Sequence, residues 1–231
     1  MKRTTVFSAY NILIISALLL VMVSMLYAKK LNKLNEPQII AALTANYGER
    51  AAQRGKAWFR LMNESYMLSP NHQLKKVNNF FNLLHFIHDI KLWGVSNYWA
   101  TPIEFLGVNA GDCEDFAIAK YFTLLELGIP DEQMRITMVK AVVLNQYHMV
   151  VAYYHTPDSV PLILDNIKGK IKPATQRKDL IPVYSFNGKQ LWLNKKKSQG
   201  VLEGKSTRIK RWTDLNQRMG IANLKQPKLR M

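Results

Sequence analysis

The chain has 231 residues, of which 48% are hydrophobic, and this composition excludes an intrinsically disordered protein. Its 32 lysines and arginines face only 16 acidic residues, and the resulting net charge of +16 suggests an anionic partner such as nucleic acid, a membrane surface or an acidic protein. The single cysteine excludes an intramolecular disulfide.

The first 30 residues have the pattern of an export signal. Lys2 and Arg3 precede an almost entirely apolar run from Val6 to Ala28, which is the order of charged and apolar regions in a secretory leader. The run is also long enough to cross a bilayer as an uncleaved helix. We therefore predict that residues 1–30 are a signal peptide or a membrane anchor, with both alternatives open, and that the remainder is exported.

Residues 36–92 are predicted to be helical. The segments 38–47 and 48–62 have helical patterns, and a further apolar face recurs at steps of three and four residues. That face consists of Leu74, Val77, Phe81, Leu84 and His88. His85 and His88 lie beside Asp89, but their spacing favours one histidine in the core and one in solvent over a metal site.

The only cysteine lies in the stretch GDCEDFAIAKYF. Asp112 is a good N-cap and Asp115 completes something close to a capping box, so Cys113 is predicted at the first position of a helix that ends near Gly128. Backbone N–H groups at that position favour a thiolate, whereas the neighbouring carboxylates oppose it. A reactive Cys113 would therefore need an imidazolium partner, and taken alone the cysteine is better explained as a structural one.

A predicted hairpin supplies such a partner. Strand-like runs cover residues 134–144, 148–154 and 160–166. A four-residue loop at 155–158 would place His148 directly opposite Asp165, with Cβ atoms about 4.5–5.5 Å apart. An aspartate beside a histidine fixes the tautomer of the ring and stabilises its protonated form. Cys113, His148 and Asp165 then have the order of nucleophile, base and orienting residue; the alternative is that His148 and Asp165 only mark strand ends near solvent.

The segment from residue 194 onward is strongly basic and carries few structural signals. We predict that residues 194–231 form a solvated, partly disordered extension. Contact with an anionic membrane surface is the alternative, because clustered lysines and arginines are attracted to acidic lipids.

Longer stretches of the sequence resemble a known family. The order Cys, His, Asp on a helix followed by antiparallel strands is that of papain-like and transglutaminase-like enzymes. The stretches LWGVSNYWATPIEFLGVNAGDCEDFAIAKYFTLLELGIP, HMVVAYY, PLILDN and IPVYSFNGKQLW are similar to those of bacterial transglutaminase-like cysteine proteinases of the LapG type. The resemblance covers roughly residues 75–193. It implies an α+β fold, with N-terminal helices packed with an antiparallel sheet, and a protease domain over residues 36–193.

The resemblance also implies a function. Proteins of this type are periplasmic cysteine endoproteases that cleave the N-terminal region of a large cell-surface adhesin and thereby control biofilm release. An inner-membrane cyclic di-GMP receptor of the LapD type holds them in check. They depend on calcium, and the implied ligands here are Asp112, Glu114 and Asp115, whose charge the ion would neutralise.

Two other functions fit parts of the sequence. The same acyl-enzyme chemistry serves transglutaminases, which transfer the acyl group to an amine in place of water. A basic, membrane-tethered binding protein is the alternative from a different class, with its tail on nucleic acid or anionic lipid. Export argues against nucleic acid, so no nucleic-acid partner is expected.

Overall fold

Helices make up the first half of the domain. The computed structural model describes residues 35–193 and 200–229. Its helices are α1 (Glu36–Tyr47), α2 (Glu49–Ser65), α3 (Pro70–Phe81), α4 (Asp89–Leu92), α5 (Pro102–Val108), α6 (Cys113–Glu126) and α7 (Lys210–Arg218). The predicted helices at 38–47 and 48–62 are confirmed as α1 and α2.

The third predicted helix ends earlier than expected. Helix α3 stops at Phe81, so Leu84 and His88 lie outside it. The chain then turns and forms the two-residue strand β1 (His85–Phe86), which pairs in parallel with β2 (Ala110–Gly111). This pairing matters for function because β2 leads directly into helix α6.

A seven-stranded sheet forms the second half. Its strands are β3 (Met134–Ala141), β4 (Gln146–Tyr153), β5 (Leu162–Leu164), β6 (Lys172–Pro173), β7 (Leu180–Phe186), β8 (Gln190–Leu193) and β9 (Val201–Lys205). They lie in the order β6-β5-β4-β3-β7-β8-β9, and every neighbouring pair is antiparallel. The three predicted strands are confirmed as β3, β4 and β5, and the predicted α+β class is confirmed with them.

Helix α6 packs on β3 and β4 and is the centre of the core. Burial of its side chains extends around most of the helix, with Ile118, Tyr121 and Leu124 fully enclosed. A helix that is buried on nearly all sides is held by the elements that surround it. The N-terminus of α6, where Cys113 lies, is therefore a rigidly supported position.

The prediction of a solvated tail is wrong for the described residues from Val201 onward. Strand β9 pairs with β8, and helix α7 buries Trp212 and Leu215. The Trp212 ring stacks on Phe122 of α6, with centroids 5.5 Å apart. Two apolar side chains three residues apart suffice to dock a short helix that is otherwise highly charged, which is why composition alone failed to indicate it.

The chain end forms a strap across the helical half, and we refer to residues 218–229 as the C-terminal strap. The Lys225 N–H donates to the carboxylate of Glu104 at 2.9 Å, and the Lys225 carbonyl accepts from the Tyr47 hydroxyl at 2.7 Å. Further along, the Lys228 N–H donates to the Leu92 carbonyl at 2.8 Å. The strap thus connects α1, the end of α4 and α5.

The predicted leader, residues 1–30, lies outside the described residues, as do residues 194–199 of the basic tail. Within residues 35–193 and 200–229, no helix is long and apolar enough to cross a membrane. The choice between signal peptide and anchor stays a prediction.

Candidate active site

The structure places Cys113 at the first position of α6, as predicted. Asp112 is the N-cap and forms a capping box with Asp115, whose carboxylate accepts the Asp112 N–H at 3.1 Å. The Cys113 thiol is partly buried and donates to the Glu114 carboxylate at 3.1 Å. The backbone N–H of Met149, in β4, also points to the sulfur. The N-terminus of α6 and strand β4 therefore come together at the thiol of Cys113.

The surroundings of Cys113 favour the protonated thiol. Burial raises its pKa, the negative charges of Glu114 and Asp112 raise it further, and only the Met149 N–H acts in the opposite direction. A thiolate is the nucleophilic form of cysteine. Reactivity at this position consequently requires a base for the proton and a positive charge to offset the carboxylates.

His148 and Asp165 form the hydrogen bond that such a base needs. The Nε2 atom of His148 lies 2.8 Å from Oδ1 of Asp165, and the two residues are 2% and 1% exposed. Since Nε2 is engaged with Asp165, Nδ1 is the ring nitrogen left for the thiol. Met149, the next residue after His148, contacts Cys113, so the thiol lies against the part of β4 that carries His148.

The predicted register of the hairpin is wrong by two residues. Tyr153 pairs with Leu162 and Val151 with Leu164, and continuing this register places Asp165 opposite Val150 instead of His148. The loop between β4 and β5 spans residues 154–161 and is longer than the four residues assumed. A displacement of two residues leaves every side chain on its original face. His148 and Asp165 therefore still meet, along a diagonal.

Asp165 is held ionised by several donors. Burial raises its pKa, but the hydrogen bond and the charge of His148, the Ile167 N–H and Arg177 together hold it below the usual range. Ile167 donates to Oδ1 at 2.9 Å, and Arg177 donates to Oδ2 at 2.7 Å. Sequence reasoning missed Arg177, because it follows a short 3-10 turn and has no motif around it.

Three aspartates form a buried cluster next to the thiol. Asp89, Asp112 and Asp115 each offer a carboxylate oxygen within 4.8 Å of the others. Oδ1 of Asp89 and Oδ1 of Asp112 are buried and have no hydrogen-bond partner among the described residues. Burial raises the pKa of Asp89 to about 7 and that of Asp112 to about 8, and neighbouring carboxylates add to both shifts. Buried carboxylates without donors are the arrangement that a cation stabilises.

This cluster differs in one member from the predicted metal ligands. Asp112 and Asp115 belong to it, whereas Glu114 turns towards the thiol and groups with Asp112 and Cys113. Asp89 takes the third place. The sequence placed Asp89 beside His85 and His88, but both histidines are exposed and only the aspartate points inward.

The C-terminal strap supports the segment that carries Asp89. Glu104, which is fully buried, accepts hydrogen bonds from Arg218 at 3.0 Å and from the Tyr98 hydroxyl at 2.7 Å. Arg218 also donates to the Trp99 carbonyl at 2.6 Å. The Tyr98 N–H in turn donates to Asp89. Consecutive hydrogen bonds thus connect Arg218 of the C-terminal strap, through Glu104 and Tyr98, to Asp89 of the carboxylate cluster.

Replacing Arg218 by methionine is expected to lower the free energy of unfolding by about 2–3 kcal/mol, because the buried Glu104 carboxylate loses a charged donor. Urea denaturation followed by circular dichroism measures the change. Arg208→Met is the matched control: its side chain is 61% exposed and lies 3.8 Å from Glu203, so its loss should cost under about 0.5 kcal/mol. Equal effects of the two variants would contradict the role given to Arg218.

The sequence pattern of the bacterial transglutaminase-like cysteine proteinase BTLCP family matches residues 60–199. The chain belongs to this family. It is accordingly a cysteine protease, and the family resemblance predicted from the sequence is confirmed.

Solved structures of a relative show the same fold. Legionella pneumophila LapG, EGTA-treated, is 42% identical with a TM-score of 0.72, and the match covers 81% of this chain and 98% of that one. Calcium-bound Legionella pneumophila LapG is 41% identical with a TM-score of 0.70, covering 81% of this chain and 100% of that one. Comparison with curated proteins gave no match. The predicted transglutaminase-like fold is confirmed.

Proposed function

We propose that this protein is a calcium-dependent cysteine endoprotease with Cys113 as nucleophile, His148 as general base and acid, and Asp165 as the residue that orients His148. The observation that carries the proposal is the buried His148–Asp165 hydrogen bond of 2.8 Å, next to Met149, whose backbone contacts the only cysteine of the chain. The position of that cysteine at a helix N-terminus supports it, because backbone N–H groups there stabilise negative charge.

The geometry supports a two-step acyl transfer. His148 accepts the Cys113 proton at Nδ1, and the sulfur attacks the scissile carbonyl carbon while the Cys113 N–H donates to the developing oxyanion. The imidazolium then gives its proton to the leaving amine as the C–N bond breaks. Water, deprotonated by His148, hydrolyses the thioester and frees Cys113. Asp165 holds the ring in one tautomer throughout.

The carboxylate cluster is the proposed calcium site. LapG has been solved with calcium bound and after EGTA treatment, and it is similar to this chain over nearly its whole length. Asp89, Asp112 and Asp115 fit the ion because their carboxylate oxygens, the ligands that calcium prefers, lie close together, and one buried oxygen each of Asp89 and Asp112 has no partner among the described residues. A bound ion supplies positive charge beside Cys113. Glu114 stays a proposed ligand, because its carboxylate lies near that of Asp112, between the cluster and the thiol.

The proposed substrate is the N-terminal region of a large cell-surface adhesin, whose cleavage releases cells from a biofilm. Proposed control is by an inner-membrane cyclic di-GMP receptor of the LapD type, and the proposed compartment is the periplasm. The family resemblance supports the substrate and the receptor, and the leader-like pattern of residues 1–30 supports the compartment.

The test is incubation of the purified protein with adhesin N-terminal domains, with calcium or with EGTA. We expect one defined cleavage in calcium, none in EGTA, and none with the Cys113→Ala variant. Mass spectrometry of products formed with an added amine separates hydrolysis from amine transfer. Cleavage by Cys113→Ala would overturn the assignment of the nucleophile, and equal cleavage in EGTA would overturn calcium dependence.

A further inference from the structure

Arg177 bridges the proposed catalytic aspartate and a second carboxylate. Its side chain is buried, and Nη2 donates to Oδ2 of Asp165 at 2.7 Å and to Oδ2 of Asp179 at 3.0 Å. Its Nε donates to Oδ1 of Asp179, also at 3.0 Å. The guanidinium is therefore fixed on one side by a two-point contact with Asp179, and Nη2 also contacts Asp165, whereas Nη1 has no hydrogen-bond partner among the described residues.

The two oxygens of Asp165 have separate partners. Oδ1 accepts from His148 and from the Ile167 N–H, whereas Oδ2 accepts only from Arg177 among the described residues. Rotation of the carboxylate about its Cβ–Cγ bond would break the Arg177 contact and leave a buried oxygen without a donor. Arg177 thus fixes the plane in which Oδ1 faces the imidazole.

Charge balance gives Arg177 a second effect. Arg177 and Lys168, which pairs with Asp179 at 3.0 Å, match the two carboxylates in number. From α6, the buried Lys120 also directs positive charge towards Asp165; burial lowers the pKa of Lys120 to about 7, and Asp165 acts against that shift. These cations limit how strongly Asp165 attracts a proton on His148.

We propose that Arg177 is a positioning residue of the protease: it fixes the plane of Asp165 and tempers the proton affinity of the His148–Asp165 pair. This inference rests on the proposed function. It extends the catalytic arrangement by one residue that does not touch substrate, and it explains why a positive charge is buried behind the base.

Arg177→Met is expected to lower kcat about 10-fold to 100-fold while KM stays within about twofold, since misplacement of the base affects the chemical step more than binding. The acidic limb of the kcat–pH profile is expected to move to higher pH, because loss of the cation raises the proton affinity of the pair and His148 must be unprotonated to act as the base. A purely structural role would not move this limb. The imidazole N–H proton of His148, observed by NMR and assigned with His148→Gln, reports the hydrogen bond to Asp165 without any substrate.

Two further variants separate geometry from charge. Arg177→Lys keeps the charge but loses the planar fork, so we expect an acidic limb near that of the wild type with a reduced kcat. Lys178→Met removes the same charge from the next residue, which is exposed, and is expected to leave kcat and the profile unchanged.

A folded Arg177→Met with wild-type kcat and an unmoved acidic limb would overturn the proposal. If that variant does not fold by circular dichroism, Arg177→Lys decides, and wild-type kcat in it overturns the proposal equally. Activity of Cys113→Ala in the same assay would instead overturn the proposed function. The two failures are therefore distinguishable.

Discussion

Replacement of His148 by glutamine is expected to lower kcat/KM by about 10⁴-fold or more. Burial and two neighbouring carboxylates raise the pKa of Cys113, so the thiol does not ionise unaided at neutral pH. Glutamine retains a donor for Asp165 and a similar volume, but it has no nitrogen that takes up the thiol proton. The loss therefore reports proton transfer and not packing.

The measurement is steady-state cleavage of an adhesin-derived peptide at saturating calcium. His155→Gln is the matched control, because this histidine is exposed in the loop after β4, and Gln133 donates to its backbone carbonyl at 3.1 Å. It should keep wild-type activity.

The activity of Asp165→Asn should fall on the order of 10³-fold to 10⁴-fold, because asparagine favours the wrong tautomer of His148. A His148→Gln enzyme with a tenth of wild-type activity would exclude His148 as the base.

Asp89→Asn is expected to weaken calcium binding on the order of 10-fold to 100-fold, since affinity at such sites depends on the number of ligand charges. Asparagine still accepts the Tyr98 N–H, so the segment keeps its position. The readout is the thermal unfolding midpoint as a function of calcium, because a ligand that binds only the folded state raises the midpoint with its concentration. This readout does not depend on cleavage.

In EGTA at pH 8, where no calcium is bound, the same substitution is expected to stabilise the folded protein. Burial and Asp112 raise the pKa of Asp89 to about 7, so folding holds a deprotonated Asp89 there at a cost, and removing its charge should raise the unfolding midpoint. Asp158→Asn, at an exposed loop position, should change neither measurement. A variant with unaltered calcium dependence would exclude Asp89 as a ligand.

Helix α6, which begins at Cys113, could be predicted because its signals are local. Asp112, Asp115 and Gly128 mark its two ends by capping chemistry that requires no knowledge of the rest of the fold. The prediction that His148 and Asp165 meet required only that their side chains lie on the same face of the sheet. Side chains alternate between the two faces along a strand, so an error of two residues in register left this prediction intact. The register itself depends on a loop whose length the sequence does not mark.

The rest of the site depends on long-range packing. Asp89 lies in the cluster because β1 pairs with β2, which brings Asp89 close to Asp112. The sequence has no periodic pattern that would predict this pairing. Arg177 reaches Asp165 from a turn outside any regular pattern. The tail docks through Trp212 and Leu215, which a count of lysines and arginines obscures.

The C-terminal strap also bears on the order of folding. Its hydrogen bond from Tyr47 to Lys225 joins residues 178 positions apart, and the one from Lys225 to Glu104 joins residues 121 apart. Closing loops of this length is entropically costly, and contacts of such separation form late. Because residues 218–229 secure the residues around Asp89, the carboxylate cluster is secured only when these long-range contacts have formed. We therefore expect the cluster to become able to hold an ion late in folding, after α6 has packed on the sheet.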